Sequence, residues 1–498
     1  MSNDPRTPVL VGAGVAGQRH DDPALAHEPL ELMALAAEAA ADDAGSRALL
    51  GGTQRIAVPE GTWDYPDPGH LLAKRLGAAS ATSVLADVGV LQQALLTEVC
   101  DHIVAGELDV ALVVGGEARH RVQRAKATGT ALHDTVQPEG TVPDRHVRPE
   151  TLGIHDLEIV RNIVTPATAY ALIEHARMHR LGHTPSQHRG ALGALYETLA
   201  AVAAANPNAW DRGPWGADRV VSPTADNRMI STPYTRAMCS QWNVDQAAAV
   251  ILCSVEAAVA FGINSDHWVF PVAASMSNHS VPVLQRPDLG RSPGTELAAE
   301  RVLELAEVSV DAMACLDLYS CFPSAVQTIA DALGVDPSGA GRPLTVTGGM
   351  SFAGGPLNNY VLQALVELVG RLRHEPGAHG LSSSVSGFLH KTGFGVWSAS
   401  PPSHPFRHVD VTDEAAAHGP ALRPVADDHV GDATIVSWTV DHLAGEPHRA
   451  VVVCDANAEG DRTVASTGEP SVVSAMLEGD WVGRRVTIAA DGSFLPEG

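Results

Sequence analysis

The sequence predicts an α/β chain of two related halves followed by a small all-β unit. Three observations carry this. Apolar strand-like runs alternate with helical patterns twice over, a stretch richer in Pro, His, Arg and Asn separates the two series, and the texture changes from Pro401 onward. Such alternation is the pattern of largely parallel sheets covered by helices.

In the first series, residues 9–12 read as a strand and 28–41 as a helix, followed by strand 55–58, a short helix near 70–76 and strand 82–86. A helix over about 91–105 and a strand over 109–114 complete it. The second series repeats the order: strand 267–274, helix 295–307, strand 314–318, helix 322–333, strand 344–347, helix 357–373, and strands 381–385 and 394–398. The first half spans 1–250 and holds an insertion over about 120–245, while the second spans 251–402. Insertions of that size are usually functional.

Pro401-Pro402-Ser403-His404-Pro405 opens an acidic, Ala-rich stretch that reads as a linker over 403–430. Short β-type runs at 433–440, 449–454, 462–466 and 484–489, separated by Gly, Asp and Pro, suggest an antiparallel, OB-like barrel over 431–498. No helix of comparable strength is expected there.

At 498 residues the chain is long enough for roughly two to four units. Its 45% hydrophobic and 18% charged residues argue for a folded globular protein. A net charge of -25 excludes the concentrated basic surface that nucleic acid requires. Six scattered cysteines without a CxxC pair fit a reducing compartment. No apolar run approaches the ~18 residues of a membrane span and no leader is evident, so a cytoplasmic protein is expected. The 23 histidines show no pair at metal-ligand spacing backed by carboxylates or cysteines, so no metal is expected.

Two local patterns mimic known sites and are discounted. Gly12-Ala13-Gly14-Val15-Ala16-Gly17 has dinucleotide-loop spacing, yet His20-Asp21-Asp22-Pro23 follows where a helix should continue. Gly349-Met350-Ser351-Phe352-Ala353 lacks the last glycine of a nucleophile elbow. The basic run Arg119, Arg121, Arg124 and Lys126 reads as a solvated face that is also a candidate for phosphate contacts.

The stretch Thr347-Gly348-Gly349-Met350-Ser351-Phe352-Ala353-Gly354-Gly355-Pro356 reads like a Gly-Gly-x-x-x-x-Gly-His-Pro loop with Gly355 at the histidine position. With it stand residues 103–117, IVAGELDVALVVGGE, and 227–249, NRMISTPYTRAMCSQWNVDQAAA. On these stretches and on the duplicated halves, the chain resembles the thiolase superfamily. Within it, the chain is most similar to sterol-carrier-protein-type thiolases and to thiolase-like proteins type 1, which end in an extra β-barrel domain. The resemblance covers about residues 7–400, with the tail from about 425. It implies two βαβαβαββ halves in α-β-α-β-α layers, with dimers by family habit and a monomer also possible.

The resemblance further implies four catalytic elements, and all four depart from the pattern here. The nucleophilic cysteine would stand at the start of the third helix, where helix N–H groups stabilise a thiolate. That position falls on Val88, in Asp87-Val88-Gly89-Val90-Leu91, and no cysteine precedes Cys100. The oxyanion-hole element becomes Tyr319-Ser320-Cys321-Phe322, whose tyrosine can still donate one hydrogen bond. Gly-His-Pro becomes Gly354-Gly355-Pro356, and the Cys-x-Gly loop becomes Ser384-Val385-Ser386-Gly387-Phe388. Thiolysis through an acyl-cysteine is therefore expected to fail.

The expected role is binding of an acyl-CoA or lipid thioester in lipid metabolism, with no tightly bound cofactor. Gly348, Gly349, Ser351, Gly354 and Gly355 are the candidate substrate contacts, because glycines let backbone approach a ligand. Alternatives are a lyase using Tyr319, an acyltransferase with Cys321 as nucleophile and His390 as base, and an interaction scaffold in which the tail recognises a partner.

Overall fold

Small residues at the start of the chain let the first strand lie unusually close to a helix. Strand β1 (Pro8–Gly17) runs through the whole glycine-rich segment. A Cβ on Gly12 would lie 2.2 Å from Ala40 O, and one on Gly14 would lie 2.3 Å from Ala40 N, both in the helix Pro29–Asp43. The glycines of the dinucleotide-like pattern thus serve helix-on-strand packing. The structure is a computed structural model and describes residues 4–497.

The first half continues through β2 (Arg55–Pro59), β3 (Thr82–Ala86), β4 (Val110–Ala118) and the short β5 (Arg145–Val147). The inserted region ends in β6 (Met229–Ser231) and β7 (Tyr234–Thr235), and then β8 (Asp245–Ser254) enters the sheet. The strand order is β1-β8-β4-β2-β3-β5. β8 is buried along its whole length, as befits a central strand covered on both faces. It runs antiparallel to β1 and β4, while β4, β2, β3 and β5 pair in parallel. The sheet is therefore largely parallel with one reversed strand, β8, because the chain returns from its insertion in the opposite direction.

The second sheet is mixed for a related reason. It joins β9 (Phe270–Ser277), β10 (Met313–Asp317), β11 (His379–Ser386), β12 (Lys391–Ser398) and β13 (Arg407–Asp410) in the order β10-β11-β12-β9-β13. The β11–β12 hairpin places an antiparallel strand in its middle. Helices Gln92–Val104 and Tyr360–Leu372 lie between the two sheets and touch strands of both. Helices Pro29–Asp43 and Pro293–Ala306 pack on the outer faces. The layers thus alternate helix and sheet, with a large apolar core through the middle and the second half and a separate one beneath helix Pro29–Asp43.

Two expectations of local structure are corrected. Residues 344–347 form no strand: Leu318 N donates to Leu344 O, but the amides of Val346 and Thr347 then turn onto Asp317 Oδ2 at 3.0 and 3.4 Å. The stretch read as a linker contains β13, paired with β9, and the helix Thr412–His418. Val411 and Ala415 are buried there, and Arg301 pairs with Glu414, so this stretch is anchored to the second half.

The tail forms an antiparallel sheet from β14 (Gly431–Leu443), β15 (Glu446–Asp455), β16 (Arg462–Thr467), β17 (Arg485–Ile488) and β18 (Phe494–Pro496), ordered β16-β15-β14-β17-β18. An unexpected helix, Pro470–Met476, fills the gap between β16 and β17 by burying Val472, Val473 and Met476. The tail is fastened to the insertion. Asp441 in β14 pairs with Ser231 in β6, Ser437 Oγ donates to Leu172 O at 2.5 Å, and the Trp438 and His175 rings stack at 4.0 Å. Removing residues from 425 onward is therefore expected to lower the thermal midpoint by several degrees and expose apolar surface to a hydrophobic dye. An unchanged midpoint would show that the tail contributes no support.

Candidate functional site

Three strands end at one place. The loop after β3 carries Val88, the loop after β10 carries Tyr319 and Cys321, and the end of β11 and the loop after it carry Ser386, Gly387 and Phe388. Together with the segment before helix Tyr360–Leu372, they line a cavity of about 680 Å³. Ligand crevices form outside the carboxyl ends of strands in α/β sheets. The insertion supplies the remaining walls and clips two of the loops together. Ser240 N donates to Cys321 O at 3.0 Å, Gln241 N to Met350 O at 3.0 Å, and Gly355 N to Gln241 O at 2.9 Å.

Val88 precedes the helix Gln92–Val104 and is 47% exposed. Its amide donates to Glu60 Oε2 at 2.9 Å, so a carboxylate sits beside this position. Tyr319 faces the cavity, and its hydroxyl takes no protein hydrogen-bond partner among the described residues. Burial and the neighbouring Cys321 push its phenol well above the ordinary range. Burial likewise pushes the Cys321 and Cys239 thiols up to about 12. Both thiols are therefore protonated near neutral pH, and neither is a poised thiolate.

His390 does not line this cavity. It sits behind Gly387, where an added Cβ would lie 2.4 Å from His390 Nδ1. Among the described residues, neither ring nitrogen has a hydrogen-bond partner. Burial, with the positive charges of Arg286 and Lys391, pushes the imidazole down to about 2, so it stays neutral. The Tyr170 hydroxyl, not the imidazole, lies beside the Cys321 thiol, and it donates to Gly387 O at 3.0 Å.

The glycine-rich loop divides in two. Ser351 and Gly355 line the cavity, whereas Gly348, Gly349 and Gly354 turn away from it. A Cβ on Gly355 would lie 2.1 Å from Ser240 Oγ and 3.2 Å from Met350 Cε, so a side chain there requires the Ser240 hydroxyl to turn away. Gly354, at φ 106°, would press a Cβ to 2.1 Å from Gln246 Oε1. Gly348, at φ 107°, would bring one to 2.3 Å from Ala203 Cβ. Gly348→Ala is therefore expected to cost about 2–4 kcal/mol in urea unfolding through strain and overpacking. A cost below about 0.5 kcal/mol would contradict this packing role.

Several wall residues escaped sequence reasoning. Arg228, Arg236, Trp215 and Trp242 line the cavity, and Arg119 stacks over the Trp242 ring at 3.9 Å. Among the described residues neither Arg228 nor Arg236 forms an ion pair, so both bring uncompensated positive charge to the cavity of an acidic protein. Their signal lay in the 227–249 stretch, which holds both. Of the basic run read as a solvated face and as a candidate for phosphates, Arg121 is buried and pairs with Asp134, and Arg124 donates to Asp21 O.

The layered halves, with the cavity at the ends of β3, β10 and β11, are those of a thiolase-fold protein. Residues 414–493 match the family described as "Thiolase-like protein type 1 additional C-terminal domain". The whole chain is similar to a monomeric SCP2-thiolase-like protein type 1 from Mycobacterium smegmatis, with 28% identity, a TM-score of 0.85 and 100% of both chains covered. This chain thus has the thiolase fold and carries the additional C-terminal domain of thiolase-like proteins type 1. An acetyl-CoA acetyltransferase from Methanothermobacter thermautotrophicus is 23% identical over 64% of this chain and 85% of its own length. An Ltp2-ChsH2 aldolase shares the fold, with 16% identity and a TM-score of 0.60 over 80% of this chain and 100% of its own.

Proposed function

We propose that the cavity binds an acyl-CoA or another lipid thioester and does not carry out thiolysis. One observation carries the reading: Val88, Tyr319, Cys321 and Gly355 line a single cavity whose thiols are held protonated and whose lining, among the described residues, includes no imidazole. Arg228 and Arg236 suit the phosphates of a polyanionic ligand, and charge-assisted contacts of that kind are strong. The protonated Tyr319 hydroxyl suits a thioester carbonyl oxygen as acceptor. The relative named acetyl-CoA acetyltransferase supports the ligand class.

Calorimetric titration with a series of acyl-CoA esters tests the reading. Saturable binding is expected, weakened at least about tenfold by the pair Arg228→Glu and Arg236→Glu and little changed by Lys126→Glu. No binding at millimolar ligand removes the proposal.

A lyase acting on a β-hydroxyacyl-CoA is the second reading, favoured by the unpartnered Tyr319 hydroxyl and by the likeness to the aldolase. With its phenol held protonated, Tyr319 would act as a hydrogen-bond donor and not as the base. Cleavage that survives Tyr319→Phe undiminished excludes this role.

A further inference from the structure

One side of the cavity is built from two pieces of the insertion. Helix Pro166–Arg180 contributes Pro166, Ala167 and Tyr170, and the segment around β6 contributes Arg228 and Ile230. Each piece has a second face. Side chains alternate along a strand, so Ser231 points away from the side that Ile230 occupies, and Thr168 lies about 100° round the helix from Ala167. Thr168 and Ser231 are both buried, and neither lines the cavity.

Those two hydroxyls meet one carboxylate of the tail. Thr168 Oγ1 and Ser231 Oγ each donate to Asp441 Oδ1 at 2.8 Å. Asp441 Oδ2 accepts from Arg449 Nη2 at 2.6 Å, and the same guanidinium donates to Asn162 O at 2.9 Å and Arg161 O at 3.2 Å, in the turn before the helix. Asp441 and Arg449 face one another across β14 and β15, and their side chains are only 18% and 20% exposed. A mostly buried carboxylate with both oxygens engaged fixes the spacing of the groups that it holds. Beside it, Thr232 N donates to Val440 O at 2.8 Å and Thr439 Oγ1 to Thr232 O at 2.8 Å. The turn after β14 extends the contact: a Cβ on Gly445 would lie 3.2 Å from Arg228 Cβ, so the hairpin also backs an arginine of the cavity wall.

We infer that the β14–β15 hairpin is a positioning element of the cavity. Asp441 and Arg449 are its positioning residues: they set helix Pro166–Arg180 and residues 228–231 against one another for the ligand. The inference rests on the reading that this cavity binds an acyl-CoA or related thioester. It gives the tail a part in binding although no described residue of the tail lines the cavity.

The test is calorimetry on the full chain with acetyl-CoA and decanoyl-CoA as probes, beside thermal unfolding of each variant. Asp441→Ala should weaken binding at least about fivefold, the scale of one hydrogen bond to a charged group. Asp441→Asn, which keeps an acceptor oxygen for Thr168 and Ser231, should recover most of that loss. Thr168→Val removes one donor and keeps the shape of the side chain; it should weaken binding about threefold, and it carries the test if Asp441→Ala does not fold. Val486→Ala, in the core of the tail on β17 and away from the insertion, should lower the thermal midpoint and leave affinity unchanged. Failure of the native chain to bind either ester overturns the thioester reading and this role with it. Native binding that Thr168→Val and a folded Asp441→Ala leave unchanged overturns the positioning role alone, as does a loss of affinity in Val486→Ala equal to that in Asp441→Ala.

Discussion

Restoring the missing thiolase residues is expected to yield no thiolase, at a modest cost in stability. Gly355→His should lower stability by about 1–2 kcal/mol, because its Cβ would displace Ser240 Oγ, 2.1 Å away, with Met350 on the other side. Val88→Cys should fold normally, since Val88 is close to half exposed. Its thiol would lie near Glu60, whose carboxylate accepts from the residue 88 amide, and a neighbouring negative charge opposes the thiolate. Urea unfolding of Gly355→His, with a thiolysis assay on Val88→Cys and on the double variant, reads both effects. A stable double variant that accumulates an acyl-enzyme would refute this account.

Removing the Asp317 carboxylate should be comparably damaging. Asp317 is fully buried at the end of β10 and organises the irregular stretch that follows Leu344. It accepts from Val346 N at 3.0 Å, Thr345 Oγ1 at 2.9 Å and the Tyr360 hydroxyl at 2.9 Å. Asp317→Ala leaves those donors buried without an acceptor and is expected to cost about 3–5 kcal/mol. Asp317→Asn keeps one acceptor oxygen and should cost less.

Asp317 also gives a signed pH dependence. Burial is the largest influence on this carboxyl and pushes it up to about 6, against 3.8 ordinarily, although its hydrogen bonds pull the other way. Because the folded-state value is the higher one, the group favours folding most when protonated. Its contribution is full below about pH 4, declines as pH rises through 6, and is flat above, a change of about 3 kcal/mol. The stability difference between the native chain and Asp317→Asn should therefore shrink between pH 4.5 and 7.5. A difference that grows with pH would reverse the assignment.

Local pattern carried most of the architecture. The 3.6-residue and two-residue periodicities are properties of neighbouring side chains, so the helices and strands of both halves could be read directly. The departures at Val88, Gly355 and the 384–388 loop are identities, and they too needed no structure. The sequence by itself thus determined a duplicated thiolase-like chain with a β-rich tail and without the family's nucleophile.

What only the tertiary structure decided involves groups far apart in the chain. The direction of β8 follows from where the insertion re-enters the sheet. The irregular 344–347 stretch follows from a carboxylate some thirty residues earlier taking its amides. His390 is close in sequence to the Phe388 wall but faces away behind Gly387. Arg228, Arg236 and Arg286 look alike as letters. Folding brings the first two to one cavity and buries the third against the carbonyls of Val281 and Phe388, because burial and pairing are set by long-range packing and not by any local period.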